Sequence, residues 1–297
     1  MSIDSSTARK QKTTLKPSAH KITPRAVTFN ITDSSPQYWF DNNPFKTHFF
    51  NAFFTTFPAG ESFFVRSVQV YRHLINDDKL QQEINSFSTQ EGNHSHAHDL
   101  HADVLIRQGY KSIERDNKIL DAALHALNRF LPRLSLAVTI AIEHFTAILS
   151  HQVYKTPELF IEPVHEDFKP MFLWHAAEEI EHKGVAYDVY QAVDGSVALR
   201  NIAMAITTAA IILLIFIRIF PLLRKDGLVW SWNTWKGGLS FMFGRQGLFT
   251  LVLDHYKQFY RRDFHPWDVQ DYDMISSFRK DYDDGTFVKN IPTVSAI

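Results

Sequence analysis

The chain has 297 residues, a formal net charge of −1 and no cysteine. That length can bury a large core, and a near-neutral balance without long charged blocks argues against nucleic acid as a partner. The lack of thiols excludes disulfides, thiolate metal sites and thiol catalysis, so any metal must sit on His, Asp or Glu.

Residues 1–35 carry Arg9, Lys10, Lys12, Lys16, Lys21 and Arg25 against the single early acid Asp4, with no apolar segment of the kind found in signal peptides. They are expected to form a disordered basic tail. The run FFNAFFTTF at 49–57 is dense enough in phenylalanine to imply burial or an apolar ligand surface. From Phe45 to about Val193 apolar positions recur at three and four, which predicts an all-α fold. Pro58, Pro132 and Pro170 open helices, and Asn76-Asp77-Asp78 and Gly109 mark turns. The pattern predicts four long helices at about 58–76, 79–108, 132–154 and 169–193. The organisation expected is a tail (1–35), a helical bundle (36–195) and a C-terminal helical extension (196–297).

Chemistry breaks into the apolar faces of these helices. Along the second, Ile84, Phe87, Glu91, His94, His98, His101 and Leu105 alternate steps of three and four and so share one face. On the first, Glu61 lies in the stripe of Phe57, Phe64 and Val68. On the third, Glu143 lies among Leu136, Thr139, Ile140, Ala147 and Ser150. On the fourth, at about 100° per residue, Glu179 is about +40° and His182 about −20° from His175. Glu178, at about −60°, competes with Glu179 on angle alone. Phe172, Ala186 and Tyr190 lie on the Glu179 side, and Glu179-x-x-His182 repeats the spacing of Glu91-x-x-His94. Glu181 is expected on the outside.

Two helices with one Glu each and two with Glu-x-x-His form the ligand set of di-iron and di-manganese carboxylate bundles. Oxygen-rich donors with a few imidazoles favour iron or manganese over softer metals. The alternative is a bundle with solvated polar edges or a buried ion-pair network, against which these faces offer hardly any Lys or Arg. His98 and His101 read as hydrogen-bonded core histidines or as groups supporting the ligands.

The motifs FPAGESFF, QEGNHSHAH, AIEHFTA and WHAAEEIEHKGVAYDVY together resemble a bacterial family labelled predicted metal-dependent hydrolases, from about Trp39 to His265, which implies a ferritin-like four-helix core. A more distant resemblance is to the p-aminobenzoate N-oxygenase type of di-iron enzyme. That likeness implies a third histidine ligand four residues before the last Glu, the place His175 holds before Glu179.

The expected function is a dinuclear, iron-containing oxygenase that activates dioxygen to oxidise a small apolar substrate. Its metal ligands would be Glu61, Glu91, His94, Glu143, His175, Glu179 and His182, holding two iron ions or, alternatively, manganese. The rival is a metal-dependent hydrolase using a bridging hydroxide.

Ile202 to Ile217, IAMAITTAAIILLIFI, is uncharged and closed by Arg218 and Pro221, short of the roughly 20 apolar residues of a full bilayer crossing. Arg224, Lys225, Trp230, Trp232 and Trp235 follow, a set that suits a headgroup interface. The run is either a helix buried against the bundle or a contact with a membrane surface or bilayer, in a protein otherwise expected to be cytoplasmic. Residues 238–262 are expected to form an amphipathic helix, and HPWD at 265–268 a turn.

Overall fold

Helix starts follow local chemistry. The Asn43 side chain accepts from the Lys46 amide, and the Asp77 side chain from the amides of Lys79 and Leu80, which satisfies groups that a helix start leaves unpaired. Prolines open several others in the first turn, where no amide donor is needed. The computed structural model describes residues 16–289. The helices are α1 (Pro44–Phe54), α2 (Phe57–Gln69), α3 (Asp78–Arg107), α4 (Ser112–Phe130), α5 (Pro132–Lys155), α6 (Pro157–Phe160) and α7 (Lys169–His182). They continue with α8 (Val185–Val193), α9 (Val197–Lys225), α10 (Trp232–Phe243), α11 (Leu248–Leu251), α12 (Leu253–Gln258), α13 (Ser276–Asp283) and α14 (Thr286–Lys289). The fold is all-α: among the described residues there is no strand, and one isolated bridge pairs Phe40 with Val164.

The central bundle is α2 on α3 and α5, α5 on α7 and α8, and α3 on α7 and α8; α4 covers α2, and α9 lies across α1 and α5. The predicted helix at 169–193 is two helices, because the chain turns at Lys183 and Gly184. A Cβ at residue 184 would lie 2.6 Å from Trp267 Nε1, so glycine there lets the HPWD turn close on the junction. The expected helix at 238–262 is likewise broken, into the end of α10 followed by α11 and α12. Helix α4 was not anticipated.

Most of the described part of the expected tail is ordered on the bundle. Residues 1–15 lie outside the described residues, but 16–25 run along α3 and α7, with Lys16 Nζ 2.6 Å from Glu83 Oε2 and Ile22 and Arg25 buried. The reason is electrostatic: Arg25 reaches Glu178 at 3.1 Å and Glu181 at 2.8 Å, two acids that would otherwise be buried unpaired.

The apolar run lies within α9. Helices α5 and α9 are both long and apolar enough to cross a membrane, by length and composition; the most apolar stretch of α5 is 78% buried and that of α9 only 33%. Helix α5 is thus a core helix. Helix α9 buries Ala203, Met204, Ile215 and Ile219 and exposes Ile202, Ile206, Leu213 and Ile217. Its inner side and the phenylalanines of α1 share one apolar cluster, so bundle and extension have a common core.

Candidate metal centre

All seven residues singled out by helical spacing converge. Glu61 comes from α2, Glu91 and His94 from α3, Glu143 from α5, and His175, Glu179 and His182 from α7, each of them buried. Their donor atoms form three overlapping groups: Glu61, His94 and His175; Glu91, His94 and Glu179; and Glu91, Glu143 and His182. Within each group the atoms lie within 4.8 Å of one another.

Each imidazole presents one nitrogen to this interior and has the other held from behind. His94 Nδ1 is 3.6 Å from Glu179 Oε1, while its Nε2 is 3.1 Å from Glu178 Oε2. His182 Nε2 lies 3.1 Å from Glu91, 3.5 Å from Glu179 and 3.6 Å from Glu143, and its Nδ1 is 3.0 Å from Gln90 Oε1. His175 Nε2 is 3.1 Å from Glu179 Oε1, and its Nδ1 is 2.9 Å from His98 Nε2. Metal-binding histidines are held by outer partners in this way, which fixes ring orientation and tautomer.

Ser95 Oγ donates to one oxygen of Glu61 at 2.9 Å, but among the described residues the acids are largely unsatisfied. Both carboxylate oxygens of Glu91 and of Glu143, one each of Glu61 and Glu179, and His94 Nδ1 and His182 Nε2 are buried without a properly aligned hydrogen-bond partner. The close approach of His182 to Glu91 has the distance of a hydrogen bond but not its alignment. Burial, then the neighbouring Glu91 charge, raises the pKa of Glu61 and of Glu143 well above the carboxylate range. Burial also acts against the Glu179 carboxylate, but His182 and His175 prevail and hold its pKa well below that range. Burial, reinforced by His175, pushes His94 well below the usual imidazole range. Buried donors of this kind, oxygen and imidazole together, fit a first-row metal ion, which would supply the missing positive charge.

The Glu178 and Glu179 alternatives separate clearly. Glu179 faces the three imidazoles, whereas Glu178 backs His94 and pairs with Arg25. Glu181 is not on the outside: it is buried and takes Arg25, the Gln90 amide at 3.0 Å and the Thr23 backbone N–H at 3.1 Å. Arg25, Gln90 and the backing role of Glu178 escaped the sequence reading. The one local hint was that Glu178 and Glu181 are spaced i, i+3 on a helix with apolar flanks. His98 supports His175, while His101 is buried among Trp39, Phe54 and Phe168 with neither ring nitrogen paired.

A family model described as "Predicted metal-dependent hydrolase" matches residues 23–270. No curated protein and no solved structure matches the chain. The family match overturns the expectation of a dioxygen-activating oxidoreductase and favours its rival. That expectation rested on glutamate-rich donors, and oxygen and imidazole donors hold hydrolytic metal ions equally well. Dependence on metal is common to the two readings, and on it the donor geometry and the match agree: the chain belongs to the predicted metal-dependent hydrolase family.

Proposed function

We propose that this protein is a hydrolase whose two metal ions, iron or manganese by donor type, are held by Glu61, Glu91, His94, Glu143, His175, Glu179 and His182. The observation that carries this reading is the set of buried carboxylate oxygens and imidazole nitrogens that have no aligned hydrogen-bond partner among the described residues. Four helices surrounding one carboxylate-rich interior also support a ferritin-like bundle. The bound ions would lower the pKa of a water molecule and polarise the scissile group.

The chain's own residues do the rest. Glu178, Gln90 and His98 fix the three imidazoles from behind. An N–H on His94 Nε2 donated to Glu178 leaves the Nδ1 lone pair facing inward. Burial raises the Glu178 carboxyl to about 8, against the opposing pull of Arg25. On the open side the Phe57 ring stacks on His175, with centroids 5.0 Å apart, and excludes bulk water there.

The test is elemental analysis with an ester and phosphodiester panel before and after chelation. Two ions per chain and hydrolysis lost on chelation and restored by Fe(II) or Mn(II) are expected. Hydrolysis that a chelator leaves untouched would refute the reading.

We further propose that the outer side of α9 meets a lipid surface. Ile202, Ile206, Leu213, Ile217 and Phe220 form an exposed uncharged stripe, and Trp230 and Trp232 beyond it are 86% and 73% exposed. Indole rings favour the water–lipid boundary.

A further inference from the structure

One cavity borders the centre. Phe49, Phe53, Phe57, Val153 and Leu248 line it, together with His175, the most exposed of the seven metal-centre residues at 8%. No Asp, Glu, Lys or Arg is among its lining residues, so a charged group there would lose its hydration with nothing to replace it. Thr146, also in the wall, gives its hydroxyl to the Glu143 carbonyl. The cavity measures about 50 Å³. That is several times the roughly 10–15 Å³ one water needs, and well below the ~150 Å³ of a cavity that holds benzene. The space suits a slender aliphatic group better than a ring. Its Leu248 wall belongs to α11, which packs on α10 and α12 and accepts at the Leu251 carbonyl from Gln152 of α5, so the cavity is walled jointly by ligand-bearing helices and the C-terminal extension.

We propose that this cavity selects the substrate: it takes a short unbranched alkyl or acyl chain, with the hydrolysable end at His175 and the tail toward Leu248. The placement of the reacting end rests on the hydrolase reading above. The alkyl site does not, because its walls are complete without metal. The aromatic rings give it non-directional affinity that grows with each methylene buried.

The test uses the full chain, metal-free and metal-loaded, titrated calorimetrically with n-alkanols from 1-butanol to 1-decanol. Affinity should rise about fourfold per methylene until the cavity is full and then level off. Cyclohexanol should bind about tenfold more weakly than 1-hexanol, because a ring overpacks the slot. Leu248→Trp should move the levelling point to shorter chains while leaving metal uptake unchanged. If circular dichroism shows that this variant does not fold, Ala176→Leu, in the same wall, serves the same purpose. A flat alkanol series, or a levelling point indifferent to the wall substitution, overturns the proposal. If that flat series is accompanied by metal-dependent hydrolysis, the hydrolase reading survives alone. Chain-length-dependent binding without metal-dependent hydrolysis of any member of the ester and phosphodiester panel does the reverse, supporting the alkyl site and removing the hydrolase reading.

Discussion

Helix α7 divides two acid-rich interiors that are equally buried and neutralised in opposite ways. On one side Glu178 and Glu181 meet Arg25, and the Gln90 amide and Thr23 N–H complete the shell. On the other, Glu61, Glu91, Glu143 and Glu179 have histidine neighbours and, among the described residues, no ion pair to Lys or Arg. Taking a carboxylate out of water is costly unless an opposite charge comes with it. The first interior contains its cation, and the second is built for one that arrives from outside. What marks the site is therefore the lack of a Lys or Arg countercharge, not the density of acids.

Four experiments break or sharpen this contrast. The largest effect is expected from Glu91→Gln, because Glu91 belongs to two of the three donor groups. Metal affinity should fall by more than the roughly 10–100-fold that loss of an outer partner costs. The metal-free variant should melt no lower than the parent, since an unsatisfied buried acid has been removed. Two ions retained in this variant would erase the distinction between the interiors. Arg25→Met tests the other side. It should cost about 3–5 kcal/mol of stability in urea or thermal unfolding, because two carboxylates are left buried and unpaired, and wild-type stability would contradict the assignment.

Gln90 joins the two interiors, with its oxygen at His182 and its amide at Glu181. Gln90→Leu should therefore weaken metal binding about 10–100-fold and also cost about 1–3 kcal/mol of stability; loss of only one property would show that the sides are independent. The smallest effect on stability belongs to the double variant Ile206→Gln and Leu213→Gln on the outer side of α9, within about 0.5 kcal/mol of the parent. The same variant should reduce co-sedimentation with lipid vesicles, and undiminished sedimentation would argue against the lipid contact.

The seven residues of the candidate centre were legible because helices repeat every 3.6 residues and each of these side chains shares a helix face with apolar neighbours. Angle alone left Glu178 and Glu179 open, and the repeated Glu-x-x-His spacing chose the one the structure places inward. Arg25 was not legible: it pairs across 153 and 156 residues, and no local pattern in a polar basic segment announces such a contact. Glu181 was misplaced for the same reason, since an outward angle means solvent only if nothing covers that side. Helix α4 could have been read. Ile113, Leu120, Leu124 and Leu127 follow a helical period, but the surrounding charged residues concealed it. The reaction class was not legible in the donor set, because donor type restricts the metal more than it restricts what the metal does.

The bond from Arg25 to Glu181 also has a history in time. At a synthesis rate of about 5–20 residues per second, the ribosome completes Glu181 roughly 8–30 s after Arg25. During that interval the guanidinium stays hydrated while α2, α3 and α5 are already available to associate. Closing so long a loop adds little to the thermodynamic cost, which grows only with the logarithm of length, but it delays the contact. The amino-terminal segment, although made first, thus settles on the bundle only after α7 has been made. Until it does, Glu178 and Glu181 lack the guanidinium that neutralises them on the back of α7.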